Sequence, residues 1–390
     1  MTDDDYGLPE HISMLRATLR RFVESEMPRE KARHWDETDH FPRDVFDKLV
    51  ELGVLGTTVD EKYGGAGKDI LATMITIEEL SRRSLAVASP YIMATCYAGM
   101  NLSECASEEQ RAELLPKVVT GDLLFAYGFS EPDVGSDVAS VKTTATRNGD
   151  LLIVNGAKRF CSGATFADYI YCLVNSDPEG ARHKNLSLVL VPPQLPGVTI
   201  EPQRALGMKG TMTCDVTFDH VEVPAWNIVG GDKGWNNGWA NIAGPGLDVE
   251  KIEVAAMALG VAGAAVDDAW EYSQARVQFG KPICTIQSIR HMLADARTDL
   301  LACRLMTYHA AQLLSAGQPA SAETSMAKLF VTEAATRIVL SCQKVMGAYG
   351  YVAGFDMERY VRDVLVMPIF GGSSAIQRNN ICNLLKLPRS

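Results

Sequence analysis

Three stretches of this chain hold residues that could do chemistry together. The segment FAYGFSEPDVGSD (125–137) places Ser130 and Ser136 among small residues directly after a strand-forming run. A β-edge ending in hydroxyl residues can lay backbone N–H groups against a flat polar ring or a phosphate. By itself, an ordinary turn is the simpler reading of this segment. The segment GLDVEK (246–251) puts a carboxylate, Glu250, at the start of a helical stretch, with Asp248 and Lys251 beside it. Such a group can be a general base. On composition alone, a solvated glutamate helped by the helix dipole is the simpler reading. The third stretch is the glycine pair Gly371–Gly372 in IFGGSSAIQR (369–378).

Other chemistries lack their residues. No GxGxxG follows a strand, and there is neither HExxH nor GxSxG, so a dinucleotide fold, a zinc protease and a serine hydrolase have no support. YGGAGKD (63–69) resembles a phosphate loop but has Lys62 where glycine is needed and Asp69 where Ser or Thr is needed. His34 and His40 read as a solvated pair, and the nine cysteines form no CxxC, so no metal site is expected.

Several kinds of element must position these residues. Ile12, Leu15, Leu19, Phe22 and Val23 recur at helical spacing, and Val45, Leu49 and Leu52 continue the style. The middle differs. Runs 151–156, 169–174, 186–193, 198–202 and 215–224 are rich in β-branched and aromatic residues, separated by Gly, Pro, Asn and Asp, which predicts an antiparallel barrel or sandwich. From about residue 248, Ile252, Ala256, Leu259, Gly263, Val266 and Trp270 define a long helix, with Ala256 and Gly263 letting a neighbour approach. Further helices are expected over 287–315, 319–347 and 373–386. The fold class is α+β, with a helical domain (1–122), a β domain (123–235) and a helical bundle (236–390).

With 390 residues, 47% hydrophobic and 22% charged, the chain has the composition of a folded multidomain protein. A net charge of −11 disfavours nucleic acid and anionic membranes. The start MTDDDYG has no basic or apolar region, so neither a signal peptide nor membrane insertion is expected, and the localisation expected is cytoplasmic.

The segment 125–137 resembles the acyl-CoA dehydrogenase signature, in which an aromatic and a hydroxyl residue precede Glu-Pro and then Gly-Ser-Asp. The resemblance continues at KRFCSGA (158–164), RVQFGKPICTIQ (276–287), VMGAYGY (345–351) and IFGGSSAIQR (369–378), in the family's order. It implies a helical N-terminal domain, a central β domain and a C-terminal four-helix bundle, FAD as cofactor, a homotetramer, and an electron-transfer flavoprotein as partner. It implies α,β-dehydrogenation of an acyl-CoA to the trans-2-enoyl-CoA.

Residue roles follow by matching. Tyr127, Phe129 and Ser130 match residues along the flavin edge, Gly135 and Ser136 those near the pyrophosphate and the CoA arm, Phe160 a ring stacked on the flavin, and Ser162 the donor to flavin N5. Arg276, Phe279 and Gln287 match residues holding the neighbouring subunit's FAD, where a permanently charged, forked Arg suits phosphate. Lys344, Gly347, Ala348, Ser373 and Ala375 fall on further cofactor positions; Lys344, Ala348, Ala375 and Asn383 depart from the usual residues, as Lys251 does beside the base.

The commonest members carry their catalytic glutamate just before the loop glycine, where this chain has Gly371. A branch typified by isovaleryl-CoA and long-chain enzymes carries it on a helix, in a motif similar to GLDVEK, which makes Glu250 the base. Asp248, Lys251, Ser136, Gly371 and Gly372 then face substrate, and the Gly371 amide supports the thioester oxygen. Desolvation by bound substrate raises the pKa of such a base and a helix N-terminus lowers it. An enoyl-CoA reductase of the crotonobetainyl type, a direct oxidase and a non-catalytic flavin-binding protein are the competing readings.

Overall fold

The computed structural model describes residues 7–242 and 247–388. Seven helices come first: α1 (Glu10–Glu26), α2 (Arg29–Thr38), α3 (Arg43–Glu51), α4 (Ile70–Ser81), α5 (Leu85–Ile92), α6 (Asn101–Cys105) and α7 (Glu108–Val119). Proline stands at the N-caps of α1, α2 and α3, where its fixed φ and missing N–H cost nothing. Ser107 and Gln110 close a capping box on α7. Every residue of α4 is buried, so it is a core helix and not an amphipathic one. Its two carboxylates are compensated: Glu78 accepts from Arg304 at 3.1 Å and from Tyr308, and Glu79 from Arg20. Between α5 and α6 the chain widens into a π-helix, Met93–Met100. Such distortions concentrate at functional sites.

The β domain is one seven-stranded sheet: β1 (Phe125–Gly128), β2 (Thr144–Asn148), β3 (Leu151–Lys158), β4 (Tyr169–Asn175), β5 (Leu186–Val191), β6 (Val198–Pro202) and β7 (Cys214–Pro224). The pairs β2–β3, β3–β7, β6–β7 and β4–β5 are antiparallel, as the sequence predicts. β1 instead lies parallel to β4. It enters from the helical domain, and the intervening chain supplies the long crossover that a parallel pair requires. β2 was missed because Thr144–Asn148 is short and mostly polar.

Six helices follow: α8 (Gly238–Asn241), α9 (Leu247–Ala275), α10 (Gln287–Ser315), α11 (Ser321–Met346), α12 (Met357–Val364) and α13 (Ser374–Leu384). α9 packs against α10, α11 and α4. The close approach falls at Gly260, where a Cβ would run into the Glu78 carbonyl of α4; Gly263 faces the Arg82 side chain. Arg29 of α2 joins Asp268 of α9 and Asp356 before α12, each at 2.5 Å, and Arg33 adds a bond to Asp356 at 2.9 Å. The N-terminal helices and the bundle thus share one half-buried charge cluster centred on Asp356.

Candidate active site

Glu250 lies in the first turn of α9; Gly246 of its motif falls outside the described residues. The side chain is half-buried, and burial pushes its carboxyl up to about 7, against the pull of Lys251 and Lys328. Desolvation therefore outweighs the two lysines, and the group titrates where a general base is most useful. Lys328 of α11 is fully buried, which pulls its ammonium down to about 8 while Glu250 holds it charged.

Lys328 also fixes the glycine loop. Its Nζ donates to the Gly372 carbonyl at 2.8 Å, and Gln377 Nε2 donates to the carbonyls of Gly371 and Gly372, both at 3.0 Å. Both glycines have left-handed φ, +61° and +78°. Among the described residues neither amide donates to a backbone carbonyl. The loop is thus a rigid turn with two N–H groups left for a ligand oxygen.

The missing loop glutamate has a steric counterpart. A Cβ on Gly371 would lie 3.0 Å from Val254 Cγ2, and Val254 is one helical turn after Glu250. The helix that carries Glu250 thus crowds the first atom of any side chain at 371, whose φ of +61° already disfavours one. Asp248 and Lys251 pair with each other at 2.8 Å, and Asp248 also accepts from Ser321 at 2.5 Å and Thr324 at 3.2 Å. They brace the start of α9 on α11, and Lys251 additionally biases Glu250.

A second wall leaves β1. The rings of Tyr97, Tyr127 and Phe129 stack in series, with centroids 3.7 and 4.6 Å apart, and Asn101 Nδ2 donates to the Tyr127 hydroxyl at 2.6 Å. The turn after Phe129 is braced: Arg159 N–H donates to Ser130 O, and Glu131 accepts from Lys158 Nζ and from the amides of Lys142 and Thr143. Phe160 is held at φ +61° with its large ring 63% exposed, and Ser162 shares a hydroxyl contact with Thr213 at 3.3 Å. A rigid edge of hydroxyls and amides beside a bare aromatic face fits a flavin ring. Gly135 and Ser136 are exposed on the adjoining loop.

Four of the remaining expected cofactor residues, Arg276, Phe279, Gly347 and Ala348, line a separate cavity of about 320 Å³ on the bundle together with Tyr272 and Tyr349. Phe279 sits at φ +51° and is 91% exposed, and the Arg276 guanidinium lies 5.5 Å from the Tyr349 ring centre. Gln287 and Lys344 adjoin the lining residues Ile286 and Val345. An aromatic ring so bare beside a cationic cavity suits an adenine and phosphate ligand. Ser373 caps α13 by accepting from Ile376 N–H, and Ala375 is exposed.

Sequence reasoning, which expects pocket walls from residues 90–101 and Phe370, missed Lys328, Gln377 and Glu253. The first two come from other elements, and nothing in their local pattern marks them. Glu253 had a signal, its spacing of three residues from Glu250 on one helix.

Comparison with known proteins agrees with this geometry. The chain matches the N-terminal, middle and C-terminal domains of acyl-CoA dehydrogenase over residues 9–122, 126–221 and 236–385. The chain belongs to the acyl-CoA dehydrogenase family, and it is a flavin-dependent oxidoreductase acting on CH–CH bonds. It is 36% identical to an acyl-CoA dehydrogenase of Bacillus subtilis, over 94% of this chain and 95% of that one. It is equally 36% identical to a 3-(aryl)acrylate reductase of Clostridium sporogenes, over 97% and 99%. Butyryl-CoA dehydrogenase of Megasphaera elsdenii superposes with a TM-score of 0.92 at 29% identity, covering 98% of this chain and all of the other.

Proposed function

We propose that this enzyme removes two hydrogens from C2 and C3 of an acyl-CoA, with Glu250 as base, FAD as cofactor and an electron-transfer flavoprotein as acceptor. The observation that carries this reading is the pairing of a desolvated Glu250 with a glycine loop where Val254 crowds any side chain at 371. The same pairing supports the branch with its glutamate on the helix.

Glu250 takes the C2 proton, and the C–H electron pair becomes the new C2=C3 bond as hydride leaves C3. The free amides of Gly371 and Gly372 offer donors to the thioester oxygen, where negative charge builds as the proton departs. Lys328 stabilises the ionised base beforehand and keeps the loop carbonyls turned away from that oxygen. Bound along the edge 127–130 and 160–162, the flavin supplies the acceptor for the C3 hydride. Phe129, Ser130 and Ser162 position its ring, and Ser136 adjoins the CoA arm. Arg276, Phe279, Gln287, Lys344, Gly347 and Ala348 would hold the adenine end of a flavin from a second subunit, which supports a homotetramer. Nine unpaired cysteines suit a reducing, cytoplasmic setting.

The similarity to an arylacrylate reductase favours a second reading, in which the same site runs toward saturation. The flavin-loaded protein should be titrated anaerobically with short, branched, long and aromatic acyl-CoAs. Bleaching of the flavin by at least one saturated class supports dehydrogenation. Turnover of enoyl-CoAs alone, driven by a reduced electron carrier, would replace it with the reductase.

A further inference from the structure

One carboxylate at this site has no task in the mechanism above. Glu253 follows Glu250 by three residues on α9, so the two side chains share a face with Cβ atoms about 5–6 Å apart. Glu253 is 1% exposed, and its Oε2 has no hydrogen-bond partner. Its surroundings are Glu250 on its own helix and, on the π-helix opposite, Cys96 and Tyr97, whose side chains hydrogen-bond the carboxyl and leave Oε2 without a partner. Tyr97 begins the aromatic stack that runs through Tyr127 to Phe129. The unpartnered oxygen therefore belongs to a group set among Glu250, Cys96 and Tyr97, beside the base at which an acyl chain would be anchored.

A plain alkyl chain would be a poor occupant. It would keep water from Glu253 and offer no hydrogen bond, and a buried polar group left unsatisfied is penalised. A sequence built only for alkyl chains would place a Val or Leu there. Burial, then the neighbouring Glu250, push the Glu253 carboxyl well above the usual range. A carboxyl oxygen without a partner can accept a hydrogen bond from a hydroxyl.

We propose that Glu253 is a specificity-determining residue that accepts a hydrogen bond from a hydroxyl carried on the acyl chain a few bonds beyond C3. The inference rests on the acyl-CoA reading of the site and adds the chemical class of the acyl group: hydroxyacyl thioesters in preference to their alkyl counterparts.

The test uses the flavin-loaded protein and a ladder of ω-hydroxyacyl-CoAs, each paired with its methyl-terminated isostere, plus ω-ammonio analogues. Affinity is read from perturbation of the flavin spectrum and dehydrogenation from anaerobic bleaching in the same titration. At one chain length the hydroxyl form should bind about tenfold tighter or more, the range expected when a buried acceptor is paired or left bare. Glu253→Leu should reverse that ratio, and Glu253→Gln should retain part of it. Tighter binding of the methyl form at every length overturns the proposal, even if neither variant folds. So does a ratio that Glu253→Leu leaves unchanged. Tightest binding of the ammonio form overturns it too, because an ion pair would then be the recognition chemistry. A hydroxyl preference without bleaching keeps this assignment and removes the dehydrogenase reading; bleaching with no hydroxyl preference does the reverse.

Discussion

Replacing Lys328 by methionine isolates the tuning of the base. Lys328 is buried beside Glu250, and its cation is one of two that favour the ionised carboxylate. Removing an opposite charge at about 4–6 Å moves a carboxylate midpoint up by roughly one to three pH units. The wild-type limb for proton abstraction should lie at about 7, with the rate rising as pH rises through it. With the midpoint raised by roughly 1.5 pH units, about one carboxyl in ten is ionised at pH 7.5, and the rate there falls roughly eightfold. Lys328 also holds the Gly372 carbonyl, but Gln377 still reaches it at 3.0 Å, so the loop should keep its shape. Removing one member of a buried pair leaves the other uncompensated, so Tm should fall as well, limited by Glu250 taking up a proton. The assay is the pH dependence of the single-turnover rate of flavin reduction, with flavin content and Tm measured alongside. A limb displaced to higher pH, with a plateau within a few-fold of wild type, is the expected result. A limb that stays at about 7 would refute the electrostatic role of Lys328.

Three further outcomes follow from the same geometry. Gly371→Glu in a Glu250→Gln background should restore little single-turnover activity, because the side chain starts 3.0 Å from Val254 at left-handed φ, and adding Val254→Ala should raise the recovery several-fold. Asp356→Asn should lower unfolding stability by about 2–4 kcal/mol in urea denaturation, since a buried carboxylate that serves Arg29 and Arg33 is lost. Arg276→Ala should reduce the flavin-to-protein ratio after purification, and excess FAD should restore it, as expected for loss of a charge-assisted phosphate contact of about 1.5–3 kcal/mol.

Much of the architecture is legible because its signals are local. α9 and α10 declare themselves by period, and β3 to β7 by composition between turn residues. The parallel pairing of β1 with β4 is not legible, because it depends on where the helical domain delivers the chain. Glu250 could be found only through its motif, since nothing in composition separates it from a solvated glutamate in a first turn. What makes it unusual is its desolvation, and that comes from tertiary packing. Lys328 likewise sits in a helix whose pattern gives no reason to single it out. Glu253 occupies a face read as apolar, between Ile252 and Ala256, and such a local conflict is where function is to be sought.

The central claim is that Glu250 is the base for a flavin-dependent reaction at a C–H bond. Stopped-flow reduction of the bound flavin, with any saturated acyl-CoA that bleaches the wild-type protein, tests it most directly. Glu250→Gln should bind flavin and substrate normally while flavin reduction slows on the order of 10²- to 10⁴-fold, the usual contribution of a general base. Reduction within tenfold of wild type would contradict the account.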